Sequence, residues 1–340
     1  MDVDFRHSII CGASCWLAAV LAFYLHLDSP WWAVISAWIL AAQDSRATLE
    51  KAGLRVAGTL AGFVVAFLAL RCTDGNILGE AGAMFLIGAS GTYQRFRSRF
   101  SYAWIIGAVT ALMLMTLGIE NPETAYENAH YRVYEILTGV FAATAGQWLL
   151  WPVLRLPAGP AGPSTAAAAA PLSPRQTQEL IATAVVGGAL PIIILLLWSR
   201  FNLPSPLQII ITAFITIDRD VVTTRLRANQ RILGCLFGGA GGLFIVSWGI
   251  DSIVLWSLVL ISGIICFSRL HLEKKHPSSY IGTQGGVAFI MALVTGNNPP
   301  DSILPVVNRV AGMLSGVLLL HVLCVILRIW RDQLPEDAAA

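Results

Sequence analysis

The chain has 340 residues, of which 56% are hydrophobic and 12% are charged, whereas an ordinary soluble domain carries about 25% charged residues. Its formal net charge is +2, from 22 basic and 20 acidic residues. This composition argues against a water-soluble globule, and the near balance of charge gives no indication of a nucleic-acid-binding surface.

Long apolar segments recur along the whole chain. A bilayer core about 30 Å thick requires about 20 apolar residues of helix. In the first half, candidate helices lie near 8–27, 30–43, 55–71, 76–92, 102–118 and 132–153. In the second half they lie near 177–198, 206–217, 231–248, 252–267, 280–296 and 305–329. Because these runs do not alternate like barrel strands, we predict an all-α polytopic membrane protein with about twelve transmembrane helices.

An Ala/Pro-rich stretch with nothing to bury separates the two halves. The predicted domains are a first six-helix repeat at 1–155, a cytoplasmic linker at 156–174, a second six-helix repeat at 175–332 and a short acidic tail at 333–340.

The two halves are related by an internal repeat, which appears when the chain is shifted by 176 residues against itself. The matched pairs include Ser29 with Ser205, Pro30 with Pro206, Asp44 with Asp220, Arg55 with Arg231, Gly58 with Gly234 and Gly62 with Gly238. A shift of 177 aligns Arg132 with Arg309, and a shift of 178 aligns Tyr102 with Tyr280. With an even number of spans in each copy, the repeats are expected to be parallel.

The distribution of positive charge predicts the topology. Eighteen of the 22 Lys and Arg residues fall in the termini, the linker and alternate loops, and the exceptions are Arg71, Arg132, Arg200 and Arg309. By the positive-inside rule, both termini are predicted to be cytoplasmic. We expect a multi-pass membrane protein.

Two GxxxG motifs occupy matching positions, Gly58 and Gly62 in the first half and Gly234 and Gly238 in the second. Small residues four apart allow two helix backbones to approach closely. We therefore interpret these glycines as helix-packing positions; direct contact with a substrate is the alternative.

Arg55 and Arg231 precede these motifs directly. An arginine at the cytoplasmic edge of a span is commonly a snorkelling anchor. A role in folding or gating is the second interpretation, because Asp44 and Asp220 stand eleven residues upstream of the two arginines and are candidates for structural ion pairs. Arg55 and Arg231 are also candidates for the substrate and anion pathway.

Arg132 and Arg309 begin the last span of each repeat, on the side that is poor in positive charge. They are candidates for an anion pathway. For Arg132, the alternative is an ion pair with Glu135, one turn along the helix. Glu135 is also a candidate proton-coupling group, because an intramembrane carboxylate is costly to bury. A location at the wet membrane edge is the other interpretation, and the second half has Gly312 at the matching position.

Tyr102 and Tyr280 recur at the start of the fifth span of each half. Their rings are candidates for stacking on an aromatic substrate, although a position in an interfacial aromatic belt is the favoured interpretation. Trp31 and Trp32 are also assigned to such a belt.

Motifs for enzymatic chemistry do not appear in the sequence. It has no P-loop and no nucleophile elbow, and its six cysteines fall mostly in apolar runs without metal-ligand spacing. We predict no catalytic residues, no metal and no cofactor.

The first half resembles the fusaric acid resistance (FUSC) superfamily. The resemblance lies in Trp32-Ala33-Val34, Thr48-Leu49-Glu50-Lys51-Ala52, Arg55 and Gly58-Thr59-Leu60-Ala61-Gly62. The second half resembles it again through Arg225, Ala228, Arg231, Gly234 and Gly238. The superfamily includes bacterial aromatic acid exporters and is similar to plant aluminium-activated malate transporters, which are anion channels of paired six-span subunits.

This resemblance implies an inner-membrane transporter that exports organic or aromatic carboxylate anions, coupled to protons. A passive anion channel of the malate-transporter type and a non-transporting membrane scaffold are the alternatives. The expected partners are the lipid bilayer, a small organic anion and either further copies of the chain or an adaptor protein.

Overall fold

The computed structural model describes residues 3–41, 45–121, 123, 125–154, 156, 172–203, 205–218, 221–273, 276–296 and 304–332. These residues form twelve α-helices and no strand. The helices are α1 (Val3–Tyr24), α2 (Trp31–Leu40), α3 (Ser45–Thr73), α4 (Ile77–Arg97), α5 (Ser101–Glu120), α6 (Ala125–Val153), α7 (Pro174–Phe201), α8 (Pro206–Thr216), α9 (Val221–Val246), α10 (Ile253–Leu272), α11 (Ser279–Leu293) and α12 (Leu304–Asp332). Most of the predicted linker, residues 157–171, and the tail, 333–340, lie outside the described residues.

Among the described residues, six helices are long and apolar enough to cross a membrane. They are Asp4–Tyr24, Arg46–Thr73, Ser101–Glu120, Tyr126–Val153, Pro174–Phe201 and Ile253–Leu272. The predicted all-α polytopic membrane fold is confirmed, with twelve helices in the described part of the chain.

Two matching helices, α2 and α8, are too short to cross a bilayer by themselves. With 10 and 11 residues they measure about 15 and 16 Å, against a hydrocarbon core of about 30 Å. Eight residues of α2 and nine of α8 are buried. A helix that is apolar on all sides is typical of a protein core. Both short helices are therefore interior elements.

The starts of several helices are encoded locally. Pro206 is the first residue of α8 and Pro30 directly precedes α2, and proline fixes the φ angle that a first helical turn requires. Ser173 caps α7 by accepting a hydrogen bond from the Gln176 amide, and the Gln176 side chain accepts one from the Ser173 amide in return. This reciprocal capping box fixes the start of α7 at Pro174, the last residue of the predicted linker.

The helices cluster into two compact units that do not follow the two sequence repeats. The first unit comprises Met1–Val56, Tyr126–Ser164 and Gln230–Val310, and the second comprises Ala57–Ala125, Thr165–Asn229 and Ala311–Ala340. The first unit thus combines α1, α2 and α6 with α10, α11 and most of α9. The second combines α4, α5 and most of α3 with α7, α8 and most of α12. Each unit takes helices from both halves of the chain.

The internal contacts of the two units correspond under the repeat. In the first unit α1 packs against α2 and α10, and α11 packs against α2 and α10. In the second unit α7 packs against α8 and α4, and α5 packs against α8 and α4. Because α1, α2, α10 and α11 are the repeat equivalents of α7, α8, α4 and α5, the same arrangement is built twice.

Candidate functional site

Arg132 and Glu135 form a buried ion pair on α6. Arg132 Nη1 lies 2.7 Å from Glu135 Oε2, and the two side chains are 9% and 1% exposed. Both residues lie in Tyr126–Val153, one of the six candidate membrane spans. The structure thus brings together the anion-pathway candidate and the proton-coupling candidate of this half.

The second oxygen of the same carboxylate reaches the start of α2. Glu135 Oε1 accepts a hydrogen bond of 2.6 Å from the backbone amide of Ser29, two residues before the first residue of α2. The N-terminal end of a helix carries a partial positive charge and unpaired N–H groups, which favour an anion. Both oxygens of Glu135 are therefore bound by groups that stabilise negative charge.

Two indole rings complete this cluster. The rings of Trp31 and Trp32 stack with centroids 4.4 Å apart, and the guanidinium carbon of Arg132 lies 4.6 Å from the Trp32 centroid and 5.8 Å from the Trp31 centroid. These distances are those of cation–π contacts. We call Trp31, Trp32, Arg132 and Glu135 the α2–α6 cluster.

Two donors of the α2–α6 cluster are not used. Arg132 Nε and Trp32 Nε1 are buried and have no hydrogen-bond acceptor among the described residues. A guanidinium has five N–H donors, and Glu135 accepts from Nη1. Since a buried donor without an acceptor costs about 1 to 3 kcal/mol, the cluster has capacity for a further acceptor group.

Arg55 lies inside the first unit and is 5% exposed. Its Nη2 donates to Ser36 Oγ at 3.0 Å, and Ser36 Oγ donates to the Trp32 carbonyl at 2.8 Å. A snorkelling anchor keeps its guanidinium in water, so the burial of Arg55 favours a role in joining α3 to α2. Its proposed partner Asp44 lies outside the described residues.

Arg231 occupies a similarly buried position, at 5% exposure. Its Nη1 donates to the hydroxyl of Tyr280 at 3.3 Å, which joins α9 to α11. Two candidates from the sequence therefore meet, through the tyrosine hydroxyl. Tyr102, the counterpart of Tyr280, is half-buried in the second unit.

The side chains of two further candidates from the second half lie outside the described part of the structure. Arg309 belongs to α12, but its side chain lies outside the described part of the structure, and so does the whole of Asp220. The second half also differs in chemistry, because Leu207, Gln208 and Gly312 stand where the first half has Trp31, Trp32 and Glu135. The α2–α6 cluster is not repeated in sequence.

The glycines of both GxxxG motifs lie at close helix approaches. A Cβ on Gly58 would be 2.5 Å from the Ala103 carbonyl oxygen, and one on Gly62 would overlap the Gly107 carbonyl. These approaches join α3 to α5. In the equivalent positions a Cβ on Gly234 would be 2.7 Å from the Ile281 carbonyl oxygen, and one on Gly238 would overlap the Gly285 carbonyl, which joins α9 to α11. At these positions the absence of a side chain allows the two helix backbones to be in direct contact.

The C-terminal ends of both short helices meet cationic side chains. Lys51 Nζ donates to the Ile39 carbonyl of α2. Arg95 Nη1 donates to the carbonyls of Ile215 and Ile217, at 3.2 and 3.0 Å, at the end of α8. Positive charge at the last turn complements the helix dipole and binds carbonyl groups that have no partner within the helix.

A small cavity with a mixed polar and apolar lining lies near the C-terminal end of α2. His7, Cys11, Ser14 and Gln147 supply its polar lining, and its volume of about 10 Å³ leaves room for about one water molecule. Among the described residues, no group of three or more His, Cys, Asp or Glu side chains is arranged to hold a metal ion. The cavity is not a substrate-sized pocket.

Sequence reasoning did not identify Trp31, Trp32 and Ser29 as parts of one site. It placed the tryptophans in an aromatic belt, whereas Trp31 is 4% exposed. A usable signal was present, since the pair opens a short apolar helix in one repeat and is absent from the other.

Comparison with known proteins identifies both halves. The model of the fusaric acid resistance protein family matches residues 5–174, and the model described as fusaric acid resistance protein-like matches residues 189–322. The chain is similar to the uncharacterized transporter YdhK of Escherichia coli K12 and of Escherichia coli O157:H7, with 28% identity over 146 residues in both cases.

That similarity covers 40% of this chain and 21% of each YdhK, so it spans about a fifth of the length of these relatives. No solved structure matches the chain. On the strength of the two family matches, which together cover most of its length, the chain belongs to the fusaric acid resistance protein family.

Proposed function

We propose that the protein is a membrane transporter that exports organic or aromatic carboxylate anions across a bacterial inner membrane, coupled to protons and with both termini in the cytoplasm. The family supports transport, and YdhK is described as a transporter. The observation that carries the substrate class is the α2–α6 cluster.

The chemistry of the cluster suits an aromatic carboxylate. A guanidinium matches the geometry of a carboxylate and binds it with two parallel N–H donors where access permits. The indole rings of Trp31 and Trp32, which contact Arg132, offer an aromatic surface beside that charge. Charge from the candidate span α6 thus lies beside aromatic surface from the short interior helix α2.

A substrate pathway at the α2–α6 cluster would also account for the charged Arg132 within a candidate membrane span. Within a membrane, a charged side chain is costly and usually marks a pathway for substrate or ions. Arg132 keeps an unpartnered Nε donor beyond its bond to Glu135, which a purely structural ion pair does not require.

The test is uptake of radiolabelled benzoate and succinate into proteoliposomes, with and without an imposed proton gradient. The intact chain is compared with Arg132→Ala and Arg132→Ala/Arg309→Ala. A matched control is Arg175→Ala, which removes an arginine that is 77% exposed and paired with Glu179.

We expect flux in the intact chain and in the control, and loss of flux in both Arg132 variants. Flux that persists without a proton gradient and carries current would indicate a passive anion channel. Absence of flux for every carboxylate tested would contradict the proposal and favour a membrane scaffold.

A further inference from the structure

The carboxylate of Glu135 is held in the way that a bound substrate carboxylate would be held. Oε2 pairs with Arg132 at 2.7 Å, and Oε1 accepts from the Ser29 amide at 2.6 Å. Guanidinium groups and helix N-termini are both established partners of carboxylates in proteins. Glu135 thus fills an anion-binding position with its own side chain.

The same position retains unused donors. Arg132 Nε and Trp32 Nε1 are buried without an acceptor, and Arg132 as a whole is 7% exposed. These two N–H groups lie on side chains in direct cation–π contact. An arriving carboxylate therefore finds donors that Glu135 does not satisfy.

Net charge decides which groups can occupy the site together. The pair of ionised Glu135 and Arg132 is neutral. Adding a substrate carboxylate to that pair gives a net charge of −1, and protonating Glu135 without substrate gives +1. Protonated Glu135 together with a bound carboxylate is neutral again. Because uncompensated buried charge costs several kcal/mol, the two neutral states are favoured.

We infer that Glu135 is a resident carboxylate which the substrate carboxylate replaces on Arg132 and Ser29, and that one proton is taken up by Glu135 for each anion bound. This inference rests on the proposed function, because it specifies the coupling at the same site. A proton from water forms an O–H bond on Glu135, the ion pair with Arg132 breaks, and the guanidinium pairs with the substrate. Release of the substrate returns the proton to water and restores the ion pair.

The exchange determines the sign of the coupling. Since proton and anion are bound together, they cross the membrane in the same direction as a neutral pair. Export by this route is driven by the outward gradient of the carboxylate and is opposed by an inward proton gradient.

Among the described residues, the charged groups that act on Glu135 are Arg132 on its own helix and Asp28 on the segment before α2. Asp28 is exposed and accepts a hydrogen bond from the Ser29 hydroxyl at 3.2 Å. Its carboxylate is solvated, so it does not replace the buried charge of Glu135. The second half has Gly312 at the matching position, so no equivalent carboxylate stands there.

The experiment measures binding of radiolabelled benzoate to the full chain in detergent, by equilibrium dialysis between about pH 5.5 and 8.5. Proton uptake is recorded with an indicator dye in weakly buffered solution. Benzoate is ionised throughout this range, so protons taken up belong to the protein. We expect one proton per benzoate bound, and an affinity that falls by about tenfold per pH unit where Glu135 is ionised in the free protein.

Glu135→Gln carries a neutral amide in place of the carboxylate and should bind benzoate with an affinity that does not change with pH and without proton uptake. Glu179→Gln removes an exposed carboxylate and should behave like the intact chain. If Glu135→Gln does not fold, the proton count on the intact chain decides the question alone.

Two results would overturn the inference, and they differ in what else they affect. Benzoate binding without proton uptake would contradict the exchange at Glu135 but would leave the proposal of carboxylate transport intact. Absence of benzoate binding at every pH, together with absence of carboxylate flux, would contradict both the proposed function and the exchange at Glu135.

Discussion

The carboxylate of Glu135 lies 2.6 Å from the backbone amide of Ser29, which ties α6 to the start of α2. The negative charge is placed at the positive end of the α2 dipole, and Arg132 neutralises it from the other side. The ion pair and the beginning of the short helix therefore depend on each other.

Removal of one partner of this ion pair should destabilise the protein strongly. Arg132→Gln leaves a buried carboxylate without its countercharge, and we expect a loss of about 3 to 5 kcal/mol in the free energy of unfolding. The double variant Arg132→Gln/Glu135→Gln should lose much less, because no charge remains buried. Unfolding in mixed detergent, followed by circular dichroism, measures both.

The control for this prediction is the exposed pair of Arg175 and Glu179, whose side chains are 77% and 43% exposed. Arg175→Gln should change the stability by less than about 1 kcal/mol. A double variant of Arg132 and Glu135 that is no more stable than Arg132→Gln would show that the charges are not coupled.

Replacement of Trp32 should weaken the binding of aromatic substrates more than that of aliphatic ones. Trp32→Gln introduces the residue that the second half has at position 208. Loss of the indole should weaken benzoate binding by about 5- to 30-fold, corresponding to 1 to 2 kcal/mol, with a smaller effect on succinate. Trp148→Gln is the control, because Trp148 lies on the same helix as Arg132 and is 80% exposed. Equal losses for benzoate and succinate would argue against an aromatic contact.

Alanine substitutions should lower stability at a closely packed glycine but not at an open one in the same helix. A Cβ on Gly238 would overlap the Gly285 carbonyl, whereas a Cβ on Gly241 would have no atom within 4 Å. We expect Gly238→Ala to destabilise the protein by about 1 to 3 kcal/mol. Gly241→Ala should be neutral or stabilise it by up to about 1 kcal/mol, through helix propensity.

The equivalent pair in α3 provides an independent test of the same packing. Gly62 lies against the Gly107 carbonyl, and a Cβ on Gly53 would meet nothing within 4 Å. Melting temperatures of the four variants in detergent should therefore fall for the two packed positions. Equal effects at packed and open positions would show that close helix approach does not limit stability.

Cutting the chain within the linker should test whether each compact unit requires helices from both halves of the chain. Each compact unit needs helices from both repeats, so neither half, cut between Ala168 and Ala169, should form a protease-resistant monomer. Co-expressed halves should assemble and recover the protease resistance of the intact chain. Size-exclusion chromatography with limited proteolysis measures this, and a resistant monomer of either half would contradict the prediction.

The amino-acid sequence alone was sufficient to predict the helical membrane fold and the internal repeat, because hydropathy and the spacing of identical residues are properties of the linear chain. It also pointed to Arg132 and Glu135 as possible partners, since residues three apart on a helix face one another. It did not place Ser29 beside them, because Ser29 and Glu135 are separated by 106 residues.

Hydropathy and repeated residues thus determined the twelve helices of the described chain and their two-fold internal pattern. Only the tertiary structure decided that α1 packs against α10 and α7 against α4, with each unit combining both halves. An apolar helix face favours burial without specifying which partner covers it. The choice depends on close contacts such as that between Gly238 and Gly285, and on buried polar bonds such as that between Glu135 and Ser29, both of which exist only once the helices have come together.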